Sequence, residues 1–174
     1  MESGFDTYMN SGYNFDRIKK KTMLVRWEPK VANETKINLD LVEPFRIDVH
    51  SDIYLDNFTT YVDGVAPTAS SAKSAFVLRI NEFNIQSNVA GNASGATLPD
   101  NRGHMFNNIV IPADSFYSGS GVSSHKSKKM NYICSINPTT ITKITGTVTD
   151  LDGSSMFQNA SDSFVAEFVF IARD

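Results

Sequence analysis

The chain is short of most of what active sites are built from. It has a single cysteine, Cys134, in 174 residues. No intrachain disulfide can form, which suits assembly in a reducing compartment, and stability must come from a packed core. Cys134 lies in the apolar run 130–136, MNYICSI, where a small buried thiol is the expected reading rather than a nucleophile. There are three histidines, His50, His104 and His125, and no two are close in sequence. A cupin-type metal site wants two nearby histidines and a carboxylate on facing strands, so a metal oxygenase or isomerase is not expected. Asp150 and Asp152 before Gly153 resemble the start of a calcium loop, but no acidic residue follows at the required distance, and a turn is the expected reading. No glycine-rich loop opens a helix to cradle a phosphate, and no nucleophile elbow accompanies the serines. The sequence therefore implies no catalytic residue, no metal, no cofactor and no small-molecule substrate.

Long apolar runs are missing too, so no membrane span is expected, and the N-terminus lacks the apolar core of a signal peptide. The sequons at Asn33, Asn57, Asn92 and Asn159 then read as chance matches in an Asn/Ser/Thr-rich chain. A formal net charge of −3 gives no reason to expect nucleic acid as a partner. Charged residues make up 20%, on the low side, but 12 Phe and 6 Tyr supply ample core material and exclude a disordered chain.

What is present is alternation. In 43–62, EPFRIDVHSDIYLDNFTTYV, the apolar Phe45, Ile47 and Val49 alternate with Arg46, Asp48 and His50, the period of a half-buried strand. Ile53 and Leu55 continue the beat, but Phe58, Thr60 and Val62 fall on the opposite parity. A strand cannot bury both sets on one face without an extra residue, which predicts a bulge at Asp56 and Asn57. Around this stretch, strands are expected at 22–27, 36–41, 76–80, 107–112, 130–136, 139–149 and 164–172. Glu43-Pro44 reads as a turn, and a second phase change near Asn81 and Glu82 as another bulge. Gly146, inside the threonine-rich strand, predicts a bend or a close backbone contact. The last strand is apolar on both parities, so it should be central. Trp27 is expected to pack in the core or an interface with its indole N–H satisfied at the edge. The predicted core includes Phe45, Ile47, Val49, Phe76, Leu78, Phe168 and Phe170.

Eight or nine strands joined by loops of unequal length, among them 86–105 and 113–129, point to an all-β fold: an antiparallel two-sheet sandwich, with the single jelly roll as its leading form. That domain is expected over 22–174, preceded by an arm over 1–21. The arm carries Phe5, Tyr8, Tyr13 and Phe15 and ends in Lys19, Lys20 and Lys21. It could fold back on its own domain, dock on a neighbouring subunit or stay disordered; docking makes those seven residues the candidate partner-binding set.

Residues 42–64 (VEPFRIDVHSDIYLDNFTTYVDG), 145–153 (TGTVTDLDG) and 164–174 (FVAEFVFIARD) resemble small β-rich virion proteins of large icosahedral double-stranded DNA viruses, the nucleocytoplasmic viruses of algae and protists. The resemblance implies a single jelly roll acting as a minor capsid, cementing or penton component. It further implies other capsid proteins as partners, in symmetric multiple copies, and location in a virion assembled in the host cytoplasm. It brings no catalytic residue with it, and it does not cover the arm. The competing expectation is a glycan- or receptor-binding module, a fibre head or lectin-like jelly roll, with Asn92, Asn101, Phe116 and Tyr117 on the long loops as possible contacts.

Overall fold

The computed structural model describes residues 20–62, 75–83, 108–112, 121–124, 130–151, 153–157 and 159–173. Among these residues there are nine strands and no helix. They are β1 (Lys20–Trp27), β2 (Lys36–Ile47), β3 (Ser51–Val62), β4 (Ala75–Ile80), β5 (Asn108–Pro112), β6 (Gly121–Ser124), β7 (Asn131–Ile136), β8 (Thr139–Thr149) and β9 (Ser163–Ala172).

Two antiparallel sheets result. In the first the order is β1-β9-β3, with β6 and β7 both pairing the far side of β3: β6 along Thr59 to Val62 and β7 along Ser51 to Leu55. In the second the order is β2-β8-β4-β5. Because β6 and β7 share one position, the fold has eight strand positions, and their order is consistent with a jelly-roll sandwich. As its two apolar parities predict, β9 is central, between β1 and β3.

The core lies between the sheets and separates into two aromatic groups. At one end Trp27, Phe58, Phe76, Phe157 and Phe164 pack with ring centroids 5.1 to 6.2 Å apart. At the other, Phe83 meets Phe168 edge-on at 5.0 Å, and Phe45 lies 4.8 Å from Phe170. The Trp27 indole N–H donates to the Lys36 carbonyl at 3.1 Å, so the buried ring loses no hydrogen bond. Cys134 is buried in the same core.

The bulge in β3 is where the phase slip placed it. Leu55 pairs Phe168, Asn57 pairs Glu167, and Asp56 is the extra residue; Leu55 and Phe58 are both fully buried as a result. Gly146 is a close contact rather than a bend. A Cβ there would stand 1.8 Å from the Arg79 carbonyl oxygen of β4, the strand it pairs with.

Four expectations need correction. Glu43-Pro44 does not end a strand: β2 runs on to Ile47, with its extra residues looped out between Asp40 and Phe45, so Val42 is fully exposed. Proline is tolerated because β2 is an edge strand and the site is a bulge. The chain changes sheets at 48–50 instead. Val49, expected in the core, sits on that corner and is 48% exposed, whereas Phe45 is half-buried and Ile47, Phe76, Leu78, Phe168 and Phe170 are buried. The phase change near Asn81 is a turn, not a bulge. β4 stops at Ile80, the Phe83 N–H donates to the Ile80 carbonyl at 3.3 Å, and Phe83 drops into the core. The Glu82 carboxylate then accepts from the Thr145 backbone N–H at 2.9 and 3.0 Å, standing in for the ladder partner that β4 no longer supplies. Finally, the sequence of 113–129 reads as loop throughout, yet Gly121–Ser124 is β6. Glycine and serine show no apolar alternation; pairing to the end of β3 makes this a strand.

Candidate functional site

The outward faces of the two sheets differ. On the second sheet, the row from β8 is Thr145, Thr147 and Thr149, flanked by Lys36, Asn38 and Asp40 of β2. On the first, β9 presents Val165, Glu167, Val169 and Ile171, with Leu24 of β1 on one side and Tyr54 of β3 on the other. Leu24 is 63% exposed and Tyr61 39%.

Tyr132 joins this face through a second bulge. Cys134 and Ile136 point into the core, so simple alternation would turn Tyr132 inward too. The register shifts between Ile53–Cys134 and Tyr54–Tyr132, leaving Ile133 as the extra residue, and Tyr132 emerges opposite Tyr54. The two rings meet edge to face, centroids 5.7 Å apart, and Tyr132 remains 51% exposed.

Beside them lies a short polar chain. Ser135 pairs with Asp52 across the strands, and its hydroxyl donates to Asp52 Oδ1 at 2.6 Å. That uses the only proton Ser135 has, so the Tyr132 hydroxyl is the donor in its 3.0 Å bond to Ser135 Oγ. Arg173 also reaches Asp52 Oδ1, from Nε at 2.8 Å, while its backbone N–H donates to the His50 carbonyl. The Arg173 guanidinium, with help from Ser135, holds the Asp52 carboxyl below the ordinary aspartate value, and Asp52 in turn pushes the Arg173 guanidinium further up. His50, Asp52, Tyr54, Tyr132, Ser135 and Arg173 thus gather at one end of one sheet face.

A second charged group borders the same end. Lys21 Nζ bonds Asp48 Oδ2 at 2.8 Å and the Arg46 carbonyl at 2.7 Å, and Arg46 Nε reaches Asp48 Oδ1 at 2.7 Å. The Lys21 ammonium is the main reason the Asp48 carboxyl lies below its usual range. Lys21 and Asp48 rim a pocket of about 40 Å³ floored by Ile47 and Phe170. That volume suits roughly one water and not a drug-sized ligand. Among the described residues no group of three or more His, Cys, Asp or Glu side chains could hold a metal ion, and no helix is long and apolar enough to cross a membrane.

Of the candidate residues taken from the sequence, Lys20 and Lys21 are the first two residues of β1, paired with Ile171 and Phe170. Phe5, Tyr8, Tyr13, Phe15, Lys19, Asn92, Asn101, Phe116 and Tyr117 lie outside the described residues. The cluster around Tyr132 carries no sequence motif. Its members lie on or just beyond the ends of β3, β7 and β9, and only the unpredicted bulge at Ile133 faces Tyr132 outward. Comparison of the chain with protein-family models, with curated proteins and with solved structures gave no match.

Proposed function

We propose that this protein is a non-enzymatic structural component of a virion, a minor capsid, cementing or penton protein that binds neighbouring capsid subunits in symmetric multiple copies, in particles assembled in the host cytoplasm. The observation that carries the reading is the unlike composition of the two sandwich faces. The outer face of β1, β9, β3 and β7 combines exposed Leu24, Tyr61 and Tyr132 with half-buried Val165 and Ile171 around Glu167. The opposite face is a threonine row between Lys36, Asn38 and Asp40 on one side and Val77, Arg79 and exposed Val110 on the other, with no aromatic side chain among the described residues. An aromatic and apolar face edged by Arg26, Glu28 and Arg173 has the makeup of a subunit contact. The resemblance of 42–64, 145–153 and 164–174 to small virion proteins points the same way, and the expected arm, of which Lys20 and Lys21 belong to β1, offers Phe5, Tyr8, Tyr13, Phe15 and Lys19 as further contact residues.

Three experiments test this reading. The copy number of the protein in purified particles, measured against the major capsid protein, should be a fixed ratio set by symmetry. Leu24→Lys should leave the melting temperature near that of the wild type, because the side chain is exposed and a lysine would face Glu167 across the strands, and should reduce incorporation into particles. Removal of residues 1–18 should reduce it as well. Absence of the protein from purified particles would end the proposal.

A second reading, a glycan-binding module, is favoured by one specific arrangement: an exposed aromatic ring beside a carboxylate, a hydroxyl and a guanidinium on one face, as Tyr132, Asp52, Ser135 and Arg173 provide. A glycan array on the monomer tests it.

A further inference from the structure

We propose that Tyr132 and Arg173 form a shallow subsite for a carboxylated sugar, a uronic or sialic acid residue at the end of a glycan. The inference rests on the glycan-binding reading and specifies its ligand.

The ring of Tyr132 is the platform. Its hydroxyl is tied to Ser135 Oγ at 3.0 Å and its edge is braced by Tyr54 at 5.7 Å, so the exposed ring is already oriented. A pre-oriented group loses little conformational freedom on binding, which matters for weak, single-sugar contacts. The apolar C–H face of a pyranose meets the negative face of an aromatic ring favourably. Because the Tyr132 hydroxyl donates its proton to Ser135, its outward lone pair is left to accept from a sugar hydroxyl.

The polar groups decide which sugar. A site for a neutral sugar needs a carboxylate or amide oxygen to accept from vicinal hydroxyls. Here Asp52 accepts from Ser135 and from Arg173 Nε through Oδ1, and its side chain is only 17% exposed, so the carboxylate is largely withdrawn from a ligand. The group that reaches further into solvent is cationic. Arg173 uses only Nε on Asp52, its side chain is 52% exposed, and both Nη groups are without a partner among the described residues. Two Nη donors side by side fit a carboxylate in the bidentate manner. Asp52 is then a positioning residue: it is only 17% exposed, holds Arg173 Nε at 2.8 Å, and through Ser135 is linked to the Tyr132 hydroxyl. The contact surface is one ring face and one cation, which matches a pyranose bearing its own carboxylate better than an extended acidic peptide.

The test uses the full chain, titrated with sialyllactose, a glucuronate-ended oligosaccharide, lactose and an acidic peptide, and followed by amide chemical shifts. The expected result is millimolar binding of the two acidic sugars, with shifts centred on Tyr132, Ser135 and Arg173, and lactose about tenfold weaker or worse. Arg173→Gln should abolish the preference for acid over lactose. Tyr132→Ala should abolish binding of both, and both variants should keep the wild-type amide spectrum away from the site, with Arg173→Gln melting slightly lower because it gives up the ion pair with Asp52. Asp52→Asn should weaken acidic sugars more than lactose while keeping the fold. Equal binding of lactose and acidic sugars would overturn the carboxylate inference and leave the glycan reading standing. No binding of any sugar would overturn both. Binding of the acidic peptide as tightly as the sugars would assign the site to a protein carboxylate instead, and shifts elsewhere on the surface would remove Tyr132 and Arg173 from it.

Discussion

Gly146→Ala should be among the most damaging single-methyl additions in this protein. The added Cβ would stand 1.8 Å from the Arg79 carbonyl oxygen, 2.8 Å from its carbon and 3.3 Å from Ile80 Cα. An ordinary carbon–oxygen contact is about 3.3–3.6 Å, so β4 would have to retreat by about 1.5 Å. The obstacle is backbone, and no side chain can swing away. A retreat of that size also pulls apart the contacts made by residues 81–83, just past the end of β4. The Asn81 N–H bond to the Thr145 carbonyl at 2.9 Å would go, as would the Glu82 bonds to the Thr145 N–H, and Phe83 would lose its seat against Phe168. Overpacking of this kind costs about 1–3 kcal/mol. Two lost hydrogen bonds add about 0.5–1.5 kcal/mol each, for a total of about 2–6 kcal/mol. For a domain of this size that lowers the melting temperature by about 5–20 °C. Thermal unfolding followed by circular dichroism measures it, with Thr147→Ala as the control, since a nearby half-exposed change should move stability by no more than about 0.5 kcal/mol. A Gly146→Ala protein melting within about 2 °C of the wild type would refute the reasoning, because it would mean β4 and β8 are not in the contact described.

Other outcomes can be checked on the same structure. Phe168→Ala empties a fully buried position between Phe83 and Leu55 and should cost about 3–5 kcal/mol in urea unfolding, a large share of a typical total of about 5–15. Deleting Asp56, the extra residue, leaves Leu55 and Phe58 two apart, so a regular strand still buries both opposite Phe168 and Ala166; the expected result is a retained cooperative transition, and its loss would count against the register given for β3. The Asp52 carboxyl, followed by carbon NMR, should titrate below the ordinary aspartate value of 3.8, and Arg173→Gln should bring its midpoint back up. Because the folded value is the lower one, the Asp52–Arg173 pair contributes stability above the unfolded value near 3.8 and loses it as pH falls through the folded value.

Much of the fold is legible in the sequence because apolar parity reports which face a strand buries. Asp56 shows as a bulge since the residues on both sides, Leu55 and Phe58, are apolar and out of step. Ile133 does not: it stands beside Cys134 in a run where nearly every residue tolerates burial, so the slip leaves no mark in MNYICSI. The outward turn of Tyr132, and with it the aromatic half of the candidate site, is therefore hidden. Pro44 misleads for a different reason. A proline interrupts a ladder, but whether it ends a strand or sits in a bulge on an edge depends on strand order, which composition does not give. β6 is invisible because Gly121, Ser123 and Ser124 have no apolar side chain to alternate. Asp52 and Arg173 are far apart in sequence and belong to no motif; only the pairing of β3 with β9 makes them neighbours.

Trp27, the only tryptophan in the chain, has its indole packed 5.5 Å from Phe157 and 5.6 Å from Phe164 at the end of the sandwich where β1 finishes. The protein therefore carries a single built-in optical probe, and the probe is local. Its emission reports the burial of one aromatic group, while Phe45, Phe83, Phe168 and Phe170, beneath the Asp52 and Arg173 end, contribute no indole signal. Loosening that begins at the corner 48–50 would be silent in tryptophan fluorescence and visible in tyrosine emission from Tyr54 and Tyr132, read in a variant whose Tyr8, Tyr13, Tyr61 and Tyr117 are replaced by phenylalanine. When the two signals coincide on unfolding, the sandwich opens as one unit. When tyrosine leads, the two ends of the core part company first at the end that bears the candidate site.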